Sequence, residues 1–408
     1  MKANILTLGC KVNRYESDNL AASLARLGWQ VGDGPDYADI YIINTCAVTA
    51  EAHSKSRQMI ARALRHNPAA SIYVIGCASE FAPESFNRQN VVYVTGADGK
   101  EKVIEVIERD YPILPVHETP ECLNTVSRTR AFVKIQDGCN NACSYCIIPS
   151  LRGASVSRPI KDIVVEAQSY AERYHEIVLV GINISLYGKD IGVDLTCLIN
   201  ALKDIRCRIR LSSFYVEAIT PELLEALRRL PAFCDHFHIS AQSGDDTVLK
   251  DMNRRYTARE CLEKIALIRR YFPDAGITAD IITGYPTEDE EKFNNTLEFV
   301  RQAGFSDIHC FLFSPRIGTA AYLLPPHDKG IAKQRHDILI AEAGKLKKEF
   351  LQKNSGKELE VLFEEERGGV YSGYSRNYIR VYSRSPQSGV KKVSTEKLYK
   401  DGLLIKGE

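Results

Sequence analysis

Three cysteines within eight residues constrain this chain more than any other feature. The segment Gly138–Cys146 reads GCNNACSYC, so Cys139, Cys143 and Cys146 follow a C-x3-C-x2-C spacing. An apolar, β-branched run, Phe132–Gln136, stands just before it and predicts a strand. Three thiols reach one metal centre only through a tight loop, and the small and polar residues between them permit one. Thiolates select zinc or iron–sulfur clusters. A structural zinc site wants four ligands, and the next cysteine is as far away as Cys197. Three thiolates on a four-iron cluster instead leave one iron open to a ligand. Disulfides are not expected among the twelve cysteines. The opening MKANILTLGC runs straight into a strand without an export signal, and a reducing cytoplasm keeps thiols free.

With 408 residues the chain has room for two or three domains of about 150 residues each. From Ala3 to about Pro115, short apolar runs alternate with amphipathic stretches: Ile5–Gly9, Asp39–Asn44, Ser71–Gly76 and Val91–Thr95 as strands, with helices near Glu16–Leu27, Ala50–His66 and Lys100–Arg109. This predicts a parallel, Rossmann-like α/β layer over residues 1–115. Residues 116–130 read as a linker. Over 131–350, six strands alternate with helices: Phe132–Gln136, Glu176–Gly181, Arg208–Ser213, His236–Ser240, Ile277–Ile282 and Ile308–Phe313, closed by a long helix Lys329–Leu351. Six β–α repeats suggest a partial (β/α)6 version of the eight-fold barrel, with a doubly wound sheet as the competing assignment. Residues 351–408 change to short alternating runs with glycines, the pattern of a small all-β barrel.

A second set of cysteines is spread through the first layer. Cys10, Cys46 and Cys77 each close a strand (ILTLGC, DIYIINTC, SIYVIGC). The carboxyl ends of parallel strands border the ligand crevice of such a sheet, so three thiols at equivalent ends are expected to meet. Helices starting soon after Cys10 and Cys46 would favour thiolate through their dipoles. The remaining six cysteines (122, 197, 207, 234, 261 and 310) share no such placement and read as structural.

The C-x3-C-x2-C segment at the start of a βα barrel resembles the radical S-adenosylmethionine (SAM) superfamily. Both cysteine sets together narrow the likeness. GCKVNRYESD (9–18), NTCAVT (44–49), CNNACSYCIIPSLRG (139–153), EIVLVGINISLYG (176–188), HISAQSGDDTVLKDMNRRY (238–256) and DIITGYPTEDEEKF (280–293) occur in the order seen in the methylthiotransferases. The wording is most similar to the branch acting on N6-threonylcarbamoyladenosine in tRNA; branches acting on isopentenyladenosine or on a ribosomal-protein aspartate are alternatives. Ala142, Thr287 and the PSLRG stretch depart from common wording without touching a cysteine ligand.

The resemblance implies two [4Fe-4S] clusters, one on Cys139, Cys143 and Cys146 that cleaves SAM to a radical, the other on Cys10, Cys46 and Cys77 that holds a sulfur for methylation by a second SAM. The product is a methylthio group at C-2 of the adenosine at position 37, next to the anticodon. Tyr145, in an adenine-packing position, and Gly181, Asn183, Glu217 and Gln242, at or just past strand ends, are candidates for SAM contacts. Arg152 and Arg316 are candidates for the substrate carboxylate, since bidentate arginine suits that group. The C-terminal module resembles the TRAM domain. Its stretch 370–408 holds eight basic residues against three acidic, interleaved with Tyr371, Tyr374, Tyr378, Tyr382 and Tyr399, a composition fit for looped RNA. Lys55, Arg57, Arg62 and Arg65 on one predicted helix are further phosphate candidates.

Elsewhere charge is balanced, 53 basic against 52 acidic, so nucleic-acid affinity rests on local patches. The apolar run Glu176–Ile182 falls far short of the ~18 residues that span a bilayer. A cytoplasmic monomer is expected, with tRNA as its partner, an external electron donor and no membrane. A non-enzymatic RNA-binding protein with structural zinc is the reading from another class.

Overall fold

A computed structural model describes residues 1–112 and 129–408; most of the expected linker, and Cys122, lie outside the described residues. The chain forms two compact units. The first comprises the described part of Met1–Ser127 together with Asp137–Ser155 and Ser314–Tyr322; the second holds Arg128–Gln136, Val156–Phe313 and Leu323–Glu408.

In the first unit, strands β1 (Lys2–Thr7), β2 (Gln30–Gly32), β3 (Ile40–Thr45), β4 (Ser71–Gly76) and β5 (Val91–Val94) form one parallel sheet in the order β2-β1-β3-β4-β5. β3 is buried at all six positions, as its uninterrupted IYIINT run requires of a strand covered on both faces. On one face Ile40, Ile42 and Tyr73 pack with Leu20 and Leu24 of helix α1 (Lys11–Arg26) and Val103 and Ile107 of α4 (Lys102–Asp110). On the other, Tyr41, Ile43 and Val74 pack with Ile60 and Ala63 of α2 (Ala50–His66). α3 (Cys77–Phe81) follows β4 directly. The short β2 has too little alternation to be legible in sequence, and α1 begins at Lys11, five residues before the expected start.

The second unit carries β6 (Arg130–Lys134). In sequence, two-residue strands β7 (Gln136–Asp137) and β8 (Val156–Ser157) flank the cysteine loop, a part of the first unit that also holds the short helix α5 (Ile148–Arg152). β9 (Glu176–Val180), β10 (Arg208–Leu211), β11 (His236–Gln242), β12 (Gly276–Thr283) and β13 (Asp307–Leu312) follow. They pair in parallel as β10-β9-β6 and β11-β12-β13, and the isolated bridges Ile209–Phe233 and Phe214–Ile239 join the two sheets. The order is therefore sequential from β6 through β13, the mark of an opened barrel and not of a doubly wound sheet. Helices α6 (Ile160–Ala171), α7 (Leu195–Ala201), α8 (Pro221–Arg229), α9 (Asp246–Asp251), α10 (Ala258–Tyr271) and α11 (Glu290–Ala303) lie between the strands, and α12 (Lys329–Asn354) closes the series.

The final segment is a closed five-stranded barrel, ordered β14 (Glu358–Arg367), β15 (Val370–Ser375), β16 (Arg380–Ser383), β18 (Gly402–Ile405), β17 (Gly389–Tyr399). It is anchored on the larger barrel by a buried charge cluster. Glu176, fully buried, pairs with Arg210 at 2.8 Å, Arg208 at 3.0 Å and Arg130 at 3.5 Å. Arg208 and Arg210 in turn donate to the carbonyls of Tyr374, Ser375 and Arg376. Tyr378 stacks on Tyr374 at 4.7 Å and on His236 at 4.4 Å. Two of the five tyrosines expected to interleave with charge on an RNA surface are thus spent on packing.

Candidate active site

The sheet order β2-β1-β3-β4-β5 places the reversal of strand order between β1 and β3, where ligands of such folds bind. Cys10 caps α1 at the end of β1, Cys46 follows β3, and Cys77 opens α3 after β4. The three thiols come together as the strand-end pattern requires. They are close enough for their thiolates to repel one another: burial pushes the Cys46 thiol up to about 11, and Cys10 and Cys77 add to the shift. A metal centre held here would therefore have to expel protons, which would tie its loading to pH.

Two glycines let these loops close. Gly9 sits at φ +94°, and a Cβ on it would stand 2.7 Å from Cβ of Cys46. Gly76, at φ +111°, would put one 2.7 Å from the Thr45 carbonyl. Both conformations favour glycine, so each GC dipeptide couples a thiol to the backbone turn that delivers it.

Around the trio lies a buried polar network that sequence reasoning did not find. Asn13 donates to the carbonyls of Leu8 and Thr45, stapling the β1 and β3 loops together. Its Oδ1 accepts from Arg152 Nη2 at 2.6 Å and from Lys100 Nζ at 3.3 Å. Lys100, 4 % exposed, also bonds Glu16 and Asn44. The Arg152 side chain donates to Glu16, Asp137 and, through Nε, Cys77 Sγ at 3.3 Å. Burial works against its charge, but Cys77, Glu16 and Asp137 outweigh that and raise its pKa further. The one available signal was the placement of Asn13 three residues after Cys10, on the first turn of α1.

Cys139, Cys143 and Cys146 occupy a loop tied by its own backbone. Cys139 N–H donates to the Gly153 carbonyl at 3.1 Å, and Cys146 N–H to that of Cys143 at 3.0 Å. The Asn141 N–H points at Cys139 Sγ, 3.4 Å away. Ala321 N–H reaches the Ser144 carbonyl at 2.7 Å, so the segment 314–322 buttresses the loop. Tyr145, between the last two cysteines, is half-buried.

Arg316 belongs to that buttress and its surroundings differ from those of Arg152. Only 5 % exposed, it lies with its guanidinium 4.4 Å over the Phe81 ring, and Nε and Nη2 have no hydrogen-bond partner among the described residues. Cys46 is near enough to act on its charge.

The other expected SAM contacts lie in the second unit. Gly181 follows β9, where a Cβ would stand 2.9 Å from Gln136 Oε1 and from Ile184 Cγ2, so a larger residue there would force these side chains to shift. Asn183 is buried; its backbone N–H donates to Gln136 Oε1, and its side chain caps the turn at Ser185. Gln242 ends β11 in the left-handed region at φ +69°, a conformation uncommon outside glycine and concentrated at functional sites. Glu217 is exposed on a short turn of 3-10 helix.

Residues 133–300 match the Radical SAM superfamily, and residues 2–96 match the Uncharacterized protein family UPF0004. The chain is 36% identical to the threonylcarbamoyladenosine tRNA methylthiotransferase MtaB of Bacillus subtilis, over 97% of this chain and 93% of that protein. The Thermotoga maritima protein of the same name is 37% identical, over 92% and 90%. The chain belongs to the radical SAM methylthiotransferase family. A tRNA-2-methylthio-N(6)-dimethylallyladenosine synthase of Thermodesulfovibrio yellowstonii is 33% identical over 98% of this chain and 97% of its own. The radical SAM methyltransferase TsrM of Kitasatospora setae, solved with tryptophan and a SAM analogue, shares the fold at a TM-score of 0.57 and 12% identity, over 85% of this chain and 89% of that one.

As a radical SAM methylthiotransferase the protein is an enzyme whose cofactors are [4Fe-4S] clusters and SAM, which removes the structural-zinc reading. Its residues fit such groups: both trios are all-thiol sets of soft donors. With a cluster on Cys77, the Arg152–Cys77 contact would be a hydrogen bond to a ligand sulfur, of the kind that tunes clusters. Among the described residues, no helix is long and apolar enough to cross a membrane.

Proposed function

We propose that this enzyme places a methylthio group on C-2 of N6-threonylcarbamoyladenosine at position 37 of tRNA, beside the anticodon, using two SAM molecules and two clusters. The names of the MtaB relatives support this substrate, and within the chain it rests on Arg316, a buried guanidinium whose Nε and Nη2 have no hydrogen-bond partner among the described residues. Burying a charged group without a partner is costly, and the threonylcarbamoyl carboxylate is the partner that isopentenyladenosine lacks. Cys10, Cys46 and Cys77 would hold one cluster and Cys139, Cys143 and Cys146 the other. Once bound, these groups supply the one-electron chemistry that replaces an unactivated aromatic C–H.

The chain's own contribution is placement. Asn13 fixes the loops of Cys10 and Cys46 to each other, and Arg152 holds Cys77. Because the donors of Arg152 are committed to Glu16, Asp137, Asn13 and Cys77, recognition of the carboxylate falls to Arg316. Tyr145, Gly181, Asn183, Glu217 and Gln242 remain the proposed SAM contacts, with Gln242 favoured by its backbone. The five-stranded barrel acts as a TRAM-like RNA-binding module. Its exposed Lys391, Lys392, Lys397 and Lys400 face phosphate in this reading, with exposed Arg57, Arg62 and Arg65 of α2 adding contacts. The enzyme works as a cytoplasmic monomer supplied by an external electron donor.

Mass spectrometry of tRNA nucleosides from cells lacking the protein tests the substrate. Unmodified N6-threonylcarbamoyladenosine should accumulate as its 2-methylthio form vanishes; loss of the isopentenyl series instead overturns the assignment. Arg316→Ala should lower kcat/KM for this tRNA roughly 10- to 100-fold, the value of a hydrogen-bonded charge pair, and leave SAM cleavage without tRNA nearly intact. An equal fall in both removes Arg316 from substrate recognition.

A further inference from the structure

We propose that His238, Asp280 and His309 form a binding site for one divalent first-row transition-metal ion, separate from both thiol trios. The three residues lie on adjacent strands of the β11-β12-β13 sheet. Asp280 stands directly opposite His309 in the ladder, and His238 opposite Thr278, two positions before Asp280. Alternation puts Ile239, Ile277, Ala279, Ile281 and Ile308 on the core face, which leaves the triad together on the other.

Their donor atoms are already gathered. His238 Nε2 and His309 Nδ1 both lie 3.2 Å from Oδ1 of Asp280, and all three donors fall within 4.8 Å of one another. Ligands held about 2.0–2.2 Å from a tetrahedral ion are themselves separated by roughly 3.3–3.6 Å, so an ion would need only side-chain adjustment. Two imidazoles and one carboxylate are the donor set that suits zinc, iron(II) or manganese.

The surroundings orient the ligands. Nδ1 of His238 lies 2.7 Å from Thr278 Oγ1, which also meets Nε2 of His236 at 3.0 Å. That contact reserves Nε2 of His238 for the metal side, the outer-shell arrangement usual for ligating histidines. Three protein ligands leave a position open, and the His309 side chain, 55 % exposed, gives that position an outlet to a water or an anionic oxygen. The site does not depend on the methylthiotransfer reading.

The test uses the full chain, reconstituted anaerobically so that iron fills both trios, treated with Zn2+ in slight excess and desalted. Elemental analysis should find one zinc per chain in the wild type with iron unchanged. Asp280→Asn and His309→Ala should each lose that zinc while keeping iron content and the cluster absorbance. His309 is exposed, so its variant keeps the fold if Asp280→Asn does not. Zinc retained in His309→Ala, absent from the wild type, or gained only as iron falls overturns the proposal.

Discussion

Cys139, Cys143 and Cys146 lie within eight residues, and backbone bonds from Gly153, Cys143 and Ala321 tie their loop. Cys10, Cys46 and Cys77 span 67 positions of sequence and meet only because three parallel strands end side by side. The first arrangement is set by spacing and tolerates change elsewhere. The second is a property of a whole sheet, so it needs glycines at the turns and a polar staple across them. A set of thiols assembled over distance carries its supporting residues with it, and these are where it is vulnerable.

The largest expected effects separate the two trios. Cys139→Ala should bring 5′-deoxyadenosine formation from SAM to background, whereas Cys46→Ala should leave it and abolish only methylthio transfer, each variant losing about half of the iron. Equal loss of SAM cleavage in both would merge the two roles. A control lies outside either trio, at Glu176. Replacing it by Gln strands three arginines and should cost about 3–5 kcal/mol, seen in chemical denaturation, without altering the iron ratio between trios. The wild type should also respond to acid there. Burial alone would raise the Glu176 pKa, but Arg210, Arg130 and Arg208 depress it to about 2. Its folded value lies below its unfolded one, so its stabilisation is present above about pH 4.5 and fades as pH falls toward 2; in Glu176→Gln that part of the pH dependence should disappear.

Gly76→Ala sharpens the contrast at smaller scale. Strain of about 1–3 kcal/mol at a left-handed position should lower iron occupancy at the Cys10, Cys46 and Cys77 trio and spare the other. Arg152→Lys keeps charge and loses the fork. Electron paramagnetic resonance of the reduced enzyme should show an altered signal from one cluster, and no change in either signal would deny Arg152 its hold on Cys77. Smallest of all, Lys391→Ala with Lys392→Ala should reduce the slope of log affinity for tRNA against log salt by roughly 1–2, leaving both clusters untouched.

Much of this was legible in the chain. Continuous runs such as IYIINT and EIVLV can only be strands covered on both faces, and their recurrence located the sheet and the opened barrel within a few residues. The strand-end cysteines were legible because their placement repeats. What escaped reading was long-range: Lys100 meets Asn13 across 87 positions, and no local pattern marks such a partner. His238, Asp280 and His309 are hidden by alternation, since every second residue beside them is core and the strands read as ordinary. Tyr374 and Tyr378 misled for the opposite reason: their spacing beside basic residues suits RNA, yet His236 and each other take their faces.

The Ala321–Ser144 bond has a consequence for how the molecule is made. The first unit needs a piece of chain ending at Tyr322, so on the ribosome it stays incomplete long after Cys77 has emerged. At about 5–20 residues per second, the intervening 245 residues take roughly 12 to 50 seconds. Three nascent thiols at first, and six once Cys146 has emerged, lack their finished enclosure during that interval, which makes translation the period when oxygen can reach them most easily.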